Sequence, residues 1–198
     1  GGATGVDYND NVKVRFGTGN DLEIHHNGTN SIIADVGDGN LSLQTNDGVI
    51  NFWNSTDSNF LLQATGSGSV ELYHAGTKKL ETTSEGATLT STDTGSSAAP
   101  ELKLYRDSSS PADSDYLGQI KFAGESDTGA ERNYAKITGK ISDASNGTED
   151  GIIEIAHIKA GSQNISARWT STELHLLNGT ELSLDDDQKI YLGTGDDL

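Results

Sequence analysis

The sequence predicts an all-β fold: a repetitive array of short strands, as in fibrous proteins, with a compact β domain inserted in it. Three observations carry this reading. Apolar and polar residues alternate with period two along most of the chain, with no sustained helical period and no heptads. Asn-Gly and Asp-Gly pairs punctuate that alternation, in a chain with 24 glycines and only 2 prolines. Short segments also return. "KVRFGTGNDL" at 13–22 comes back as "KIYLGTGDDL" at 189–198, "NLSLQTNDG" at 40–48 resembles "ELSLDDDQK" at 181–189, and "DLEIHHNGT" at 21–29 has relatives in "ELYHAGT" at 71–77 and "ELHLLNGT" at 173–180.

In chain order, the alternation predicts strands over 12–16, 22–26, 41–43, 70–74, 102–105, 119–122, 152–158, 173–177, 182–184 and 189–192. Turns are expected at Asn27-Gly28, Asp38-Gly39, Asp47-Gly48, Asn146-Gly147, Asp150-Gly151 and Asn178-Gly179, because these pairs reach the positive φ angles of tight hairpins. The small-residue stretch "TSTDTGSSAAP" at 90–100 reads as a linker. Residues beyond it carry longer and denser apolar runs. The expected organisation is a β-repeat segment over 1–95, a compact β domain over 96–172, and a resumed repeat over 173–198.

Composition sets further limits. Leu, Ile, Val and Phe make up 41 of 198 residues, and the net charge is −17. Chains this poor in large apolar groups and this charged lie near the border of disorder. Burial is worth roughly 25 cal/mol per Å², whereas ordering the backbone costs about 1–2 kcal/mol per residue. A lone chain of repeats therefore sits near zero net stability, and burial between chains is expected to supply the rest. Absence of cysteine excludes disulfides and thiol chemistry. No apolar run approaches the roughly 18 residues of a membrane span, and no signal-peptide pattern opens the chain. Methionine is missing, position 1 included, so a processed product or a piece of a longer chain is expected. Thirteen scattered Lys and Arg against thirty acidic residues argue against nucleic acid.

One region resembles a known family. Ser110-Pro111-Ala112-Asp113, Leu117-Gly118, Phe122, Gly129, Tyr134-Ala135, Ile137 and Gly147-Thr148-Glu149-Asp150-Gly151 are similar to a module of virion structural proteins and tail fibres of tailed bacteriophages, notably marine ones. The flanking "DLEIHHNGTN" and "VELYHAGTKKLETTSEGATLT" resemble repeats that surround this module in the same proteins. The resemblance implies a homotrimeric β fibre, an intertwined β-prism or triple-β-helix-like assembly, located on the virion and extracellular. Its implied partners are further copies of itself, other tail or baseplate proteins and host surface glycans. The implied role is extension and host attachment. Two rival readings are a fibre-borne polysaccharide depolymerase and a bacterial surface filament or adhesin.

No catalytic residue and no cofactor are assigned. The chain lacks G-x-S-x-G, H-E-x-x-H and a P-loop, and a non-enzymatic role is expected. His25 and His26, neighbours in a strand, point to opposite faces and cannot share an ion within one chain; no metal is expected there. "GTGND" at 17–21 and "GTGDD" at 193–197 depart from the calcium nonapeptide, since Glu23 stands where its large apolar residue belongs, and they read as glycine turns. Asp185-Asp186-Asp187 reads as a solvated turn. Asn27, Asn40, Asn54, Asn146, Asn164 and Asn178 open N-x-Ser/Thr sequons, the Asn-Gly members being explained by turns. Trp53 is the candidate ligand-binding residue. It sits beside Phe52 in "INFWN", so one of the two must face outward, where an indole stacks on sugar rings. Trp169, Tyr105, Tyr116 and Tyr134 are weaker candidates for the same role.

Overall fold

The structure, a computed structural model, describes residues 5–188. Among the described residues the protein is all-β, with no helix and therefore none long and apolar enough to cross a membrane. Thirteen strands form three antiparallel sheets, none closed into a barrel. In every sheet the strands pair only with their neighbours in sequence. The chain divides into two units after Glu101.

The first unit holds two sheets. The first sheet is β1 (Val14–Phe16), β2 (Leu22–His26) and β3 (Ser31–Asp35). Its β1–β2 connection is "GTGND", a turn closed by Asn20 N–H donating to Gly17 O at 3.2 Å. The Asp21 carboxylate fills the space where a Cβ on Gly17, Gly19 or Gly37 would stand, which is why this loop needs glycine. The β2–β3 turn uses Gly28 at positive φ, while the Asn27 side chain accepts from the N–H groups of Thr29 and Asn30 at 3.0 and 2.7 Å. Val14, Ile24 and Ile33 stand opposite one another across the three strands.

The second sheet is the five-stranded meander β4 (Val49–Asn54), β5 (Asn59–Thr65), β6 (Val70–His74), β7 (Thr77–Thr83) and β8 (Gly86–Leu89). A single row of large apolar residues runs across all five strands: Phe52, Leu62, Leu72, Leu80 and Leu89. Two bulges, at Leu61 and Lys79, break the alternation and turn Phe60 and Lys78 to the opposite face.

The second unit holds the third sheet: β9 (Tyr116–Glu125), β10 (Glu131–Asp143), β11 (Asp150–Lys159), β12 (Ser162–Trp169) and β13 (Leu174–Leu176). Its apolar row is Ile120, Ile137, Ile155, Ala167 and Leu176. Asn178 and Gly179 both take positive φ in a tight turn, as their sequence predicts. Asp150-Gly151, expected as a turn, instead opens β11. Gly151 pairs with Ile141, and the reversal is made by 144–149 with Gly147 at positive φ.

Three expected strands differ from the structure. Residues 41–43, 102–105 and 182–184 alternate in sequence yet join no sheet. Alternation signals which side chains could share a face, but a strand also needs a hydrogen-bonding neighbour, and among the described residues none pairs with these segments. The expected strand at 189–192 and the second glycine turn at 193–197 lie outside the described residues.

The core is almost absent. Among the described residues only Ala156 and Ala167 are buried apolar side chains. Among the described residues, each strand's near backbone neighbours are its partners within its own sheet. The chain exposes 15476 Å². Compact monomers of its 20.9 kDa expose about 9,000 Å², and two separate compact domains of half that mass about 11,000 Å². Several thousand Å² of surface that folded proteins ordinarily cover thus lies open.

Candidate functional site

The open surface is not random. Period two gives each sheet one apolar and one polar face. The apolar faces carry the rows named above, and most of their large residues are exposed: Ile33 is 58 % exposed, Phe52 52 % and Leu72 42 %, whereas Ala167 is buried. On the polar faces of the first and third sheets Glu23, Thr138 and Glu154 are buried, beneath long side chains that lie along the sheet.

A glutamate sits at the middle of each polar face. Glu23 accepts from Lys13 Nζ at 2.6 Å and Arg15 Nε at 3.1 Å. Glu71 accepts from the Tyr73 hydroxyl, from Ser69 Oγ at 3.2 Å and from Lys78 Nζ at 3.3 Å; Lys78 also pairs with Glu81. Glu154 accepts from Arg168 Nε at 2.9 Å and Nη2 at 2.6 Å, with Lys140 Nζ 3.9 Å away. These partners move titrations. The Lys13 hydrogen bond holds the Glu23 carboxyl below the usual range, and the Tyr73 hydroxyl does the same for Glu71. In return Glu71 raises Tyr73, and Glu81 then Glu71 raise Lys78. Outside the faces, the Ser145 backbone N–H lowers Asp143.

Sequence reading had missed the common origin of this feature. "LEIHH" at 22–26, "VELYH" at 70–74 and "IEIAH" at 153–157 share one pattern, apolar-Glu-apolar-x-His. Each forms the central strand of its sheet, β2, β6 and β11. The pattern puts the glutamate on the polar face and both apolar residues, with the histidine, on the other. The third copy escaped notice because it lies inside the denser region and its Ala160-Gly161 turn comes two residues later than the Ala75-Gly76 turn of the second copy.

Trp53 lies on the polar face of the second sheet and is 47 % exposed. The Leu61 bulge brings Phe60 opposite it, ring centroids 4.6 Å apart and edge to face; Tyr73 follows at 5.6 Å from Phe60. A polar row of Asn51, Gln63, Glu71 and Glu81 runs beside these rings. Gln63 Nε2 donates to Asn51 Oδ1 at 3.2 Å, a bond that leaves the Asn51 NH2 and the Gln63 carbonyl to other partners. Phe52 faces the other way, within the apolar row.

The remaining candidates are scattered. Trp169 lies on the apolar face of the third sheet opposite Ile153 and Leu174. Tyr116 lies under Lys140 Nζ at 4.8 Å, Tyr134 donates to Glu125 O at 3.2 Å, and Tyr105 is exposed beside Lys103. His25 and His26 point to opposite faces. His26 Nδ1 bonds Ser31 Oγ at 3.2 Å, while His25 Nδ1 is buried with no hydrogen-bond partner. No group of three His, Asp or Glu side chains gathers as a metal site among the described residues. Asp185 to Asp187 form an exposed turn closed by Gln188 N–H on Asp185 O at 3.2 Å. Among the sequon asparagines, Asn178 donates to Ile165 O at 2.8 Å and Asn164 to Ser162 O at 2.9 Å. No family model, curated protein or solved structure matches the chain.

Proposed function

We propose that this chain is a structural segment of a virion fibre of a tailed phage, homotrimeric, serving extension and host attachment. The observation that carries the reading is the set of three sheets whose large apolar residues stand mostly exposed on one face while the glutamates of the other are held by hydrogen bonds and ion pairs. Such faces need partners, and obligate interfaces bury about 2,000–5,000 Å², the order of the uncovered surface. Further copies of the chain supply identical apolar faces, and cyclic symmetry closes the assembly. The number three comes from the resemblance of residues 110–151 to tail-fibre modules. With the apolar faces inward, the ion-paired faces look outward and spread the charge of −17 per chain into solvent. Light scattering with negative-stain electron microscopy tests this: the expected particle has three times the 20.9 kDa chain mass and is fibrous. A stably folded monomer at micromolar concentration would sink the reading.

Attachment falls to the outward face of the second sheet. Trp53, Phe60 and Tyr73 supply apolar ring surface for sugar C–H groups, and Asn51 and Gln63 supply hydrogen bonds to hydroxyls. The acidic surroundings favour a neutral glycan over an acidic one. Only two tryptophans occur, so a Trp169→Phe protein reports Trp53 alone by fluorescence. Neutral hexose oligosaccharides are expected to perturb that emission and uronic-acid oligosaccharides are not; the reverse order would dismiss the site.

A further inference from the structure

Each of the three sheets is followed in the chain by one short extended segment that belongs to no sheet. After β3 comes "NLSLQ" at 40–44, after β8 comes "ELKLY" at 101–105, and after β13 comes "ELSL" at 181–184. All share the pattern polar-Leu-polar-Leu. Their leucines are open: Leu41, Leu43, Leu102, Leu104, Leu182 and Leu184 all rank as exposed. Side chains in the middle copy already sit as in a strand, since Lys103 Nζ lies 5.2 Å over the Tyr105 ring, two residues along the same side. Among the described residues, none of 40–44, 101–105 or 181–184 finds a backbone hydrogen-bond partner.

We infer that these three segments are strands completed by another copy of this chain, each adding to an open sheet edge of its neighbour. The inference rests on the fibre reading and specifies how its copies join. A segment with the side-chain alternation of a strand, whose N–H and C=O groups have no partner among the described residues, is the half of a ladder that seeks the other half. The other half is present in the same chain, because among the described residues all three sheets end in edge strands paired on one side only: β1 and β3, β4 and β8, β9 and β13. Segments and edges therefore occur together in every copy. A cyclic homo-oligomer satisfies both without any foreign partner. The side-chain pattern agrees. In register with a sheet, the leucines extend its apolar row, and Ser42, Lys103 and Ser183 fall on its ionic face. Own-chain anchoring of the middle segment does not compete. Leu104 packs over Gly118, where an added Cβ would come within 2.9 Å of it, and Arg106 Nη1 donates to Tyr116 O at 2.9 Å; both contacts use side chains and leave the segment's backbone open.

Hydrogen exchange on the full chain decides the matter, with light scattering on the same solutions. In the oligomer, amides within 41–44, 102–105 and 182–184 are expected to exchange at least about 100-fold more slowly than unprotected amides, and on dilution to monomer that protection should vanish. Free exchange in these segments while scattering reports an oligomer overturns the inference and leaves the fibre reading standing. Protection that persists in a monomer overturns it as well, by placing the partner within the chain. A sample that is monomeric at every concentration, with these amides free, removes both.

Discussion

Leu72 lies at the centre of the five-residue row of the second sheet, between Leu62 and Leu80. In the single chain it remains 42 % exposed. Fully burying a leucine is worth about 1.5–3 kcal/mol, so covering this open fraction contributes about 0.6–1.3 kcal/mol per chain, or about 2–4 kcal/mol over three chains. Truncation by Leu72→Ala should therefore lower the trimer association constant roughly 30- to 700-fold. Leu72→Asp should do more, because it brings like charges into the covered face, where unpaired carboxylates are costly. The assay is light scattering across a dilution series, with far-UV circular dichroism on the same samples to follow the sheets. Gln63→Ala, on the opposite face of the adjoining strand, serves as the control and should leave the assembly mass unchanged. If Leu72→Asp assembles like the parent, or Gln63→Ala dissociates as readily as Leu72→Ala, the assignment of inner and outer faces is wrong.

Other outcomes follow from the polar faces and the turns. Glu23, Glu71 and Asp143 titrate below their ordinary values of 4.5, 4.5 and 3.8, so their contribution is present above those values and lost as pH falls through the lowered ones; the melting temperature should drop below about pH 4.5. Tyr73 and Lys78 titrate above 10.0 and 10.5, so their contribution is present below those values and lost at higher pH; Tyr73→Phe should flatten part of both limbs, and an unchanged profile would refute the pairing. Glu154→Ala removes both Arg168 hydrogen bonds from a buried carboxylate and should cost about 1–3 kcal/mol in thermal unfolding of the third sheet. Gly76→Ala should destabilise the β6–β7 hairpin by about 1–2 kcal/mol, since its φ is +75° and an added Cβ would collide with Asn59 Oδ1. Its neighbour Ala75 already bears positive φ, so Ala75→Asn should raise the melting temperature.

Strands that alternate cleanly were legible in the sequence. "LEIHH" and "VELYH" form β2 and β6 residue for residue. Strands β3, β4, β5, β7, β8, β10 and β12 were not; β3, β4 and β8 are short or alternate poorly, and the other four each carry a bulge, at Leu61, Lys79, Tyr134 and Ser166. One extra residue shifts the period by a step, and "NFLLQAT" or "TKKLETT" then shows no alternation to count. The converse error concerned 41–43, 102–105 and 182–184, which alternate without a pairing strand among the described residues. Trp53 and Phe52 take opposite faces, as neighbours in a strand must, and both are exposed. Phe60 and Tyr73, the companions of Trp53 on its face, became visible only once the Leu61 bulge had set the register. The covered glutamates were hidden for another reason. Thirty acidic residues make any one of them unremarkable, and only a sheet shows which stands between two cations.

All pairing between strands joins neighbours in sequence. Non-local pairing is what slows the folding of most β proteins, because loops must close before contacts reward them. Here each hairpin closes over a turn of a few residues and needs nothing from distant parts of the chain. A growing polypeptide can lay down one hairpin after another as it leaves the ribosome, with association of chains as the late, concentration-dependent step. The same locality tolerates change in length. Duplicating or deleting a hairpin at the edge of a sheet disturbs only one neighbour, as in solenoids. A lineage carrying this architecture can lengthen or shorten by whole hairpins while the remaining strands keep their register.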